Sequence, residues 1–286
     1  MTAATAVMAA LARRKQPHDQ TARLLSNLTQ RIVSALVLAA IVLAATWAGG
    51  AWFALVWLAA AAAVLHEFLT LSGQGAHGPV RLSAWVFFAL TAAAILFSAP
   101  QNVVLALIAA GALAFAFGLR KPGSSALSGL GFVYALLPAY AMTRLRLDGL
   151  FPVIFLFAAV WATDIFAYFN GRSLGGPKLA PTVSPSKTWS GAVGGAAGAM
   201  AAGLAIGLSS GLSGGLGLPL ACLLLSVVSQ LGDLGESAFK RHFGAKDSGR
   251  LIPGHGGMMD RIDGLAVAAV ALWLLSASGS LALLAP

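Results

Sequence analysis

The chain has 286 residues, 58% of them hydrophobic and only 9% charged, and its mean hydropathy is +0.84. Soluble domains carry about 25% charged residues, and helices in a soluble bundle need polar faces, so an ordinary soluble all-α bundle is excluded and a polytopic membrane protein is expected. A formal net charge of +9 would point to nucleic acid on a soluble protein, but here topology accounts for it and no nucleic-acid partner is needed.

Residues 1–30 hold Arg13, Arg14, Lys15 and Arg23 and no small-residue cleavage site at signal-peptide spacing. They read as a cytoplasmic tail or interfacial helix. Nine apolar spans follow, at roughly 31–48, 51–69, 81–98, 102–119, 126–143, 150–170, 189–211, 214–239 and 264–284. Turn chemistry separates them: Gly49-Gly50, Ser72-Gly73, Ala99-Pro100, Lys121-Pro122-Gly123 and Leu147-Asp148-Gly149. The expected fold is therefore all-α, with about nine transmembrane helices and a cytoplasmic N-terminus. Residues 31–150 form the N-terminal helices. Residues 151–286 form the region with the long polar loops 171–188 and 240–263. The single cysteine, Cys222, lies in an apolar run and reads as a small buried residue.

This topology makes a charge prediction. With the N-terminus inside, 16 of the 18 Lys and Arg fall on the cytoplasmic side, leaving only Arg144 and Arg146 outside. Both long polar loops then share the cytoplasmic face. No tandem repeat or similarity between halves appears, which argues against an inverted-repeat transporter.

Acids at membrane depth are expensive and mark functional cavities. Asp164 lies within the sixth span, and Asp233 and Glu236 lie near the cytoplasmic end of the eighth. Asp233, Glu236, Ser237 and Lys240 follow i, i+3, i+4, i+7 spacing and share one helix face. Glu67, beside His66 at the end of the second span, reads as half of an interfacial polar pair. In the 171–188 loop, Ser184-Pro185 matches a helix N-cap followed by first-turn proline, with Lys178 and Lys187 nearby; such a terminus attracts phosphate. The stretch 237–264 holds five Lys or Arg and three Asp. Its Pro253-Gly254-His255-Gly256-Gly257 run could cradle an oxyanion on consecutive N–H groups, and Asp260 and Asp263 follow it. His255 reads equally as an acid/base group, a ligand or a hydrogen-bond donor. Carboxylates with Lys and Arg around glycines suit a metal–polyphosphate complex.

These residues resemble the phosphatidate cytidylyltransferase (CDP-diacylglycerol synthase) family. Ser237 to Asp263 matches the family signature without a gap: Lys240-Arg241, Lys246-Asp247, Pro253, His255-Gly256-Gly257, Asp260-Arg261 and Asp263. A second block agrees: Asp164, Tyr168, Gly171-Arg172, Lys178-Leu179-Ala180-Pro181 and Ser184-Pro185-x-Lys187-Thr188-Trp189. Gly176 stands where many members have Lys, and Ser190 where they often have Glu or Gln, so neither position is carried over. The resemblance covers residues 160–264; the first 150 residues match only as hydrophobic spans.

The resemblance implies transfer of the cytidylyl group of CTP to phosphatidate, giving CDP-diacylglycerol and pyrophosphate for phospholipid synthesis at the inner membrane. It implies Mg²⁺, with a second cation (monovalent in one reading) in the same site, and a homodimer. Asp233 and Asp260 would bridge the metals. Lys240, Arg241 and Asp263 join them as catalytic residues, with Glu236 as auxiliary. Lys178, Ser184, Lys187, Thr188, Ser237, Lys246, His255 and Arg261 would bind substrate. Three rivals fit less well. A CDP-alcohol phosphotransferase needs Ala-Arg and further acids after Asp-Gly, which neither Asp148-Gly149 nor Asp263-Gly264 has. A CTP-dependent polyprenol kinase shares only distant features. A cation-coupled transporter gives no account of the polar loop.

Overall fold

The computed structural model describes residues 17–73, 78–118, 125–209, 217–252 and 256–279. The described elements are α1 (Pro17–Ala48), α2 (Gly50–Leu71), α3 (Gly78–Leu96), α4 (Gln101–Gly118), α5 (Ser125–Leu147), α6 (Phe151–Leu174), β1 (Lys178–Ala180), β2 (Ser184–Thr188), α7 (Trp189–Ser209), α8 (Gly217–His242) and α9 (Met259–Ala277). Each expected span falls within or largely within one of these helices. Among them α2, α3, α6, α7 and α8 are each long and apolar enough to cross a membrane, and α1 and α4 carry shorter apolar stretches.

The helices differ from the expected spans mainly at their ends. α1 begins at Pro17, so the second half of the expected tail is helical and continuous with the first span. α8 runs to His242 and α9 starts at Met259, which shortens the expected 240–263 loop from both sides. Hydropathy marks only the apolar stretch of a helix, whereas hydrogen bonding carries the helix on through polar residues. The 26 residues of α8 span about 39 Å at 1.5 Å each, more than the hydrocarbon core requires.

The fold is all-α as expected, and one short hairpin lies inside its first long polar loop. Residues 178–188 form a two-stranded antiparallel hairpin, with Lys178 opposite Thr188 and Ala180 opposite Ser184. Ser184 is consequently not a helix cap; it lies in β2, and α7 starts at Trp189. The cap is Thr188, whose Oγ1 accepts the Gly191 N–H at 3.1 Å, the N3 donor that an N-cap hydroxyl serves. Pro185 needs no N–H in a two-stranded ribbon, which has only edges, so it fits the strand as well as it fits a helix start.

α6 and α7 pack backbone to backbone. A Cβ at Gly195 would stand 2.8 Å from the Thr163 carbonyl oxygen, and one at Gly191 would stand 2.8 Å from that of Ala167. Polar groups tie this pair to α8: Thr163 Oγ1 donates to Ser226 Oγ at 2.9 Å, and Gln230 Nε2 donates to the Ala192 carbonyl at 3.3 Å. Asp164 and Asp233 sit next to these ties on their own helices. The apolar core is built largely from α2, α5, the first half of α6, and α9, with Phe132, Leu145, Phe155 and Leu272 fully enclosed. α1 instead leaves Leu36, Ile41 and Trp47 exposed, as a lipid-facing helix does.

Candidate active site

The site is built on the polar ends of α8 and α9, the hairpin, and the loop 243–258. α8 presents Asp233, Glu236, Ser237 and Lys240 on one face, as the helical spacing predicts. Asp233 Oδ2 forms an ion pair with Lys187 of β2, and Ser237 Oγ approaches Asp233 Oδ1 at 3.4 Å. One turn on, Lys240 Nζ lies 2.7 Å from Glu236 Oε2 and 2.5 Å from Asp260 Oδ1. Lys240 thus joins the end of α8 to the start of α9. Asp263 accepts the Gly264 N–H at 2.9 Å and lies within the electrostatic reach of Asp233, Glu236 and Asp164. Three helices and one strand therefore bring five carboxylates and two lysines into a common field.

Asp260 is held firmly. Its Oδ2 accepts the Ser248 N–H at 2.9 Å and the Gly257 N–H at 2.8 Å and lies 2.9 Å from the Ser248 hydroxyl oxygen. Gly256 has φ +82°, and a Cβ there would stand 2.8 Å from Asp260 Oδ2. Residues 253–255 of the glycine run lie outside the described residues; the consecutive N–H groups of Gly257, Met258 and Met259 at its end bind oxyanions that are the protein's own. Gly257 serves Asp260, while Met258 N and Met259 N serve Glu67, at 2.6 and 2.9 Å.

Glu67 is the residue that sequence reasoning placed wrongly. It is not half of an interfacial pair; it is 3% exposed and bound to the 248–259 segment. Its only sequence signal was an acid at the end of an apolar span, which equally describes a solvated interfacial residue.

The other expected site residues have varied settings. Lys178, Lys246 and Arg261 are exposed, and Ser184 is half-buried. Arg241 turns back to the Ala245 carbonyl at 3.1 Å. Thr188 is buried as the α7 cap. His255 lies outside the described residues. Ser190, which departs from the resemblance pattern, ties the hairpin to α7. Its hydroxyl bonds to the Gly175 carbonyl and meets Thr188 Oγ1 at 3.0 Å.

Beside the acids lies a cavity of about 840 Å³, toward the upper end of small-molecule pockets. Its walls are apolar, with Phe68, Leu130, Leu231, Phe239 and Val270 among them. Phe68 of α2 stacks on Phe239 of α8 with ring centroids 5.0 Å apart. Three polar side chains are among the lining, Glu236, Tyr134 and His242. Tyr134 Oη and Glu236 Oε1 are buried without a hydrogen-bond partner among the described residues.

The model of the cytidylyltransferase family matches residues 29–278. This chain belongs to that family. Proteins named phosphatidate cytidylyltransferase from Brucella abortus and Brucella melitensis are 46% identical to it over 256 residues, which is 88% of this chain and 94% of theirs. One of the same name from Staphylococcus haemolyticus is 44% identical over 141 residues, 49% of this chain and 52% of its own.

For a cytidylyltransferase, the donor set bears on whether a divalent cation fits. Among the described residues no three His, Cys, Asp or Glu side chains form a ligand group by themselves. Magnesium does not require one, since it takes one or two carboxylates and completes its shell with water and substrate phosphates. Carboxylates outnumber the lysines paired with them here, and Glu236 Oε1 is buried and unpaired. The residues therefore fit a cation that arrives with a triphosphate.

Proposed function

We propose that this protein is a phosphatidate cytidylyltransferase: it transfers the cytidylyl group of CTP to phosphatidate, forming CDP-diacylglycerol and releasing pyrophosphate. The observation that carries this reading is the position of Glu236. It lines the apolar cavity and, through Lys240, belongs to the carboxylate–lysine cluster. A lipid tail in the cavity would place its headgroup at the ionic cluster. We place the site at the cytoplasmic face of the inner membrane, where the Lys and Arg asymmetry puts both polar loops.

The chemistry suits these residues. The second pKa of a phosphomonoester is about 6, so the lipid phosphate is already largely dianionic near neutral pH and needs no strong base. One of its oxygens attacks the α-phosphorus of CTP, a P–O bond forms, and the bond from the α-phosphorus to the bridging oxygen breaks, releasing pyrophosphate. The protein must hold two polyanions together and neutralise charge on the leaving group. Lys187 and Lys240, held in ion pairs, would serve as fixed cations, and the exposed Lys178, Lys246 and Arg261 would neutralise phosphates entering from solvent. Asp233 and Asp260 would hold Mg²⁺, which supplies Lewis-acid stabilisation of the triphosphate when bound.

The reading is tested by pyrophosphate release from the purified protein in detergent. Release should require CTP, phosphatidate and a divalent cation together; release from CTP alone would contradict it. Tyr134→Phe tests the lipid side. Losing one neutral hydrogen bond, about 1 kcal/mol, should raise the KM for phosphatidate about fivefold and leave that for CTP unchanged. An unchanged phosphatidate KM would remove Tyr134 from the lipid site.

A further inference from the structure

We infer that Glu67 is a positioning residue: a carboxylate from the N-terminal half of the chain that sets the geometry of Asp260 through Ser248 and the amides of residues 257–259. The wiring is direct. Glu67 Oε1 accepts Met258 N–H at 2.6 Å, and Oε2 accepts Met259 N–H at 2.9 Å and lies 2.8 Å from the Ser248 hydroxyl oxygen. Met259 is 192 positions away along the chain. A buried carboxylate is costly without partners, and here neutral donors from the loop supply them.

Residues 248–249 and 257–259 close around this side chain. A Cβ at Gly257 would collide with Ser248 Oγ and stand 2.5 and 2.6 Å from the Glu67 oxygens; one at Gly249 would stand 3.1 Å from Oε1. Glu67 therefore fills space that the glycines leave open, and its position and the loop's path determine each other.

Ser248 makes the link to Asp260. Its hydroxyl oxygen is 2.8 Å from Glu67 Oε2 and 2.9 Å from Asp260 Oδ2, and it has one proton to give. Whichever carboxylate takes that proton, the hydroxyl stands between them. The chain of contacts runs Glu67, Ser248, Asp260, Lys240, Glu236. Loss of Glu67 frees the amides of 258 and 259, at the very start of α9, and so loosens the turn that aims Asp260 at Lys240.

The role of Asp260 in this inference rests on the proposed activity, but the wiring does not, and the test separates them. In the full-length protein, Glu67→Gln and Ser248→Ala should each lower kcat about 10- to 100-fold, the usual effect of removing a group that orients a reacting carboxylate. The KM for phosphatidate should stay within about twofold, because neither residue faces the cavity. The double variant should be no worse than the more severe single variant by more than about threefold, since both cut one chain of contacts. Independent, multiplying losses or an unchanged kcat would overturn the inference. If Glu67→Gln fails to fold, Ser248→Ala decides on kcat and KM alone, as it leaves both backbone bonds to Glu67 in place. Amide exchange requires no substrate. The amides of 258 and 259 should be protected in the parent protein and exchange at least about tenfold faster in Glu67→Gln; unchanged exchange would overturn the wiring even if the protein proved to have another activity.

Discussion

The 178–188 hairpin and the 243–258 loop both carry basic residues to the site, yet they are held by opposite means. The hairpin is held by its own backbone: a ladder between β1 and β2, closed at one end by the Thr188 cap and the Ser190 tie. Its path does not depend on Lys187, whose ammonium group is available to pair with Asp233 or a phosphate. Among its described residues the loop folds back on the end of α8 at 243–245 and contains one isolated bridge, Ile252 to Gly256, while Ser248 and the residues that lead into α9 are tied down by two carboxylates outside the loop, Glu67 and Asp260. One segment presents charge on a self-sufficient scaffold. The other is folded around the charges that the site uses.

That difference separates the effects of mutation. The largest should come from Asp260→Asn, because Asp260 anchors the loop and the proposed activity assigns it to the metal. Its amide cannot accept from Lys240, Ser248 and Gly257 as the carboxylate does, and kcat should fall about 1,000-fold, the upper range for losing a preorganised electrostatic group. Amide exchange across 248–258 should accelerate in the same variant. If exchange is unchanged, Asp260 does not anchor the loop. Lys187→Met should lower kcat about 100-fold by removing one charge from the polyanion site, while exchange across 178–188 stays as it was. Faster exchange in the hairpin would show that it, too, is folded around its ion pair. The smallest effect separates the real helix cap from the expected one. Thr188→Ala should lower stability by about 1 kcal/mol in thermal denaturation, and Ser184→Ala should lower it by only a few tenths, because only Thr188 serves an α7 amide.

Much of this was legible in the chain. Long apolar runs located the helices, and the periodicity of α8 correctly set Asp233, Glu236, Ser237 and Lys240 on one face. The hairpin was missed because Ser-Pro next to an apolar run is equally a helix start and a strand that lacks one donor. Backbone pairing between 178–180 and 184–188 decides between them, and no local pattern records it. Glu67 was missed for a different reason. Its partners are backbone amides about 190 positions away, and a backbone amide has no signature in sequence. The glycines of 256–257 announced a cradle but could not say which anion it holds.

The central claim is that the carboxylate–lysine cluster and the adjoining apolar cavity together transfer a cytidylyl group to a lipid phosphate. The most direct measurement follows label from CTP into phosphatidate with the purified protein. Label at the α-phosphorus should enter the lipid fraction while label at the γ-phosphorus leaves as pyrophosphate. Entry of γ-label into lipid would make the protein a kinase and contradict the account.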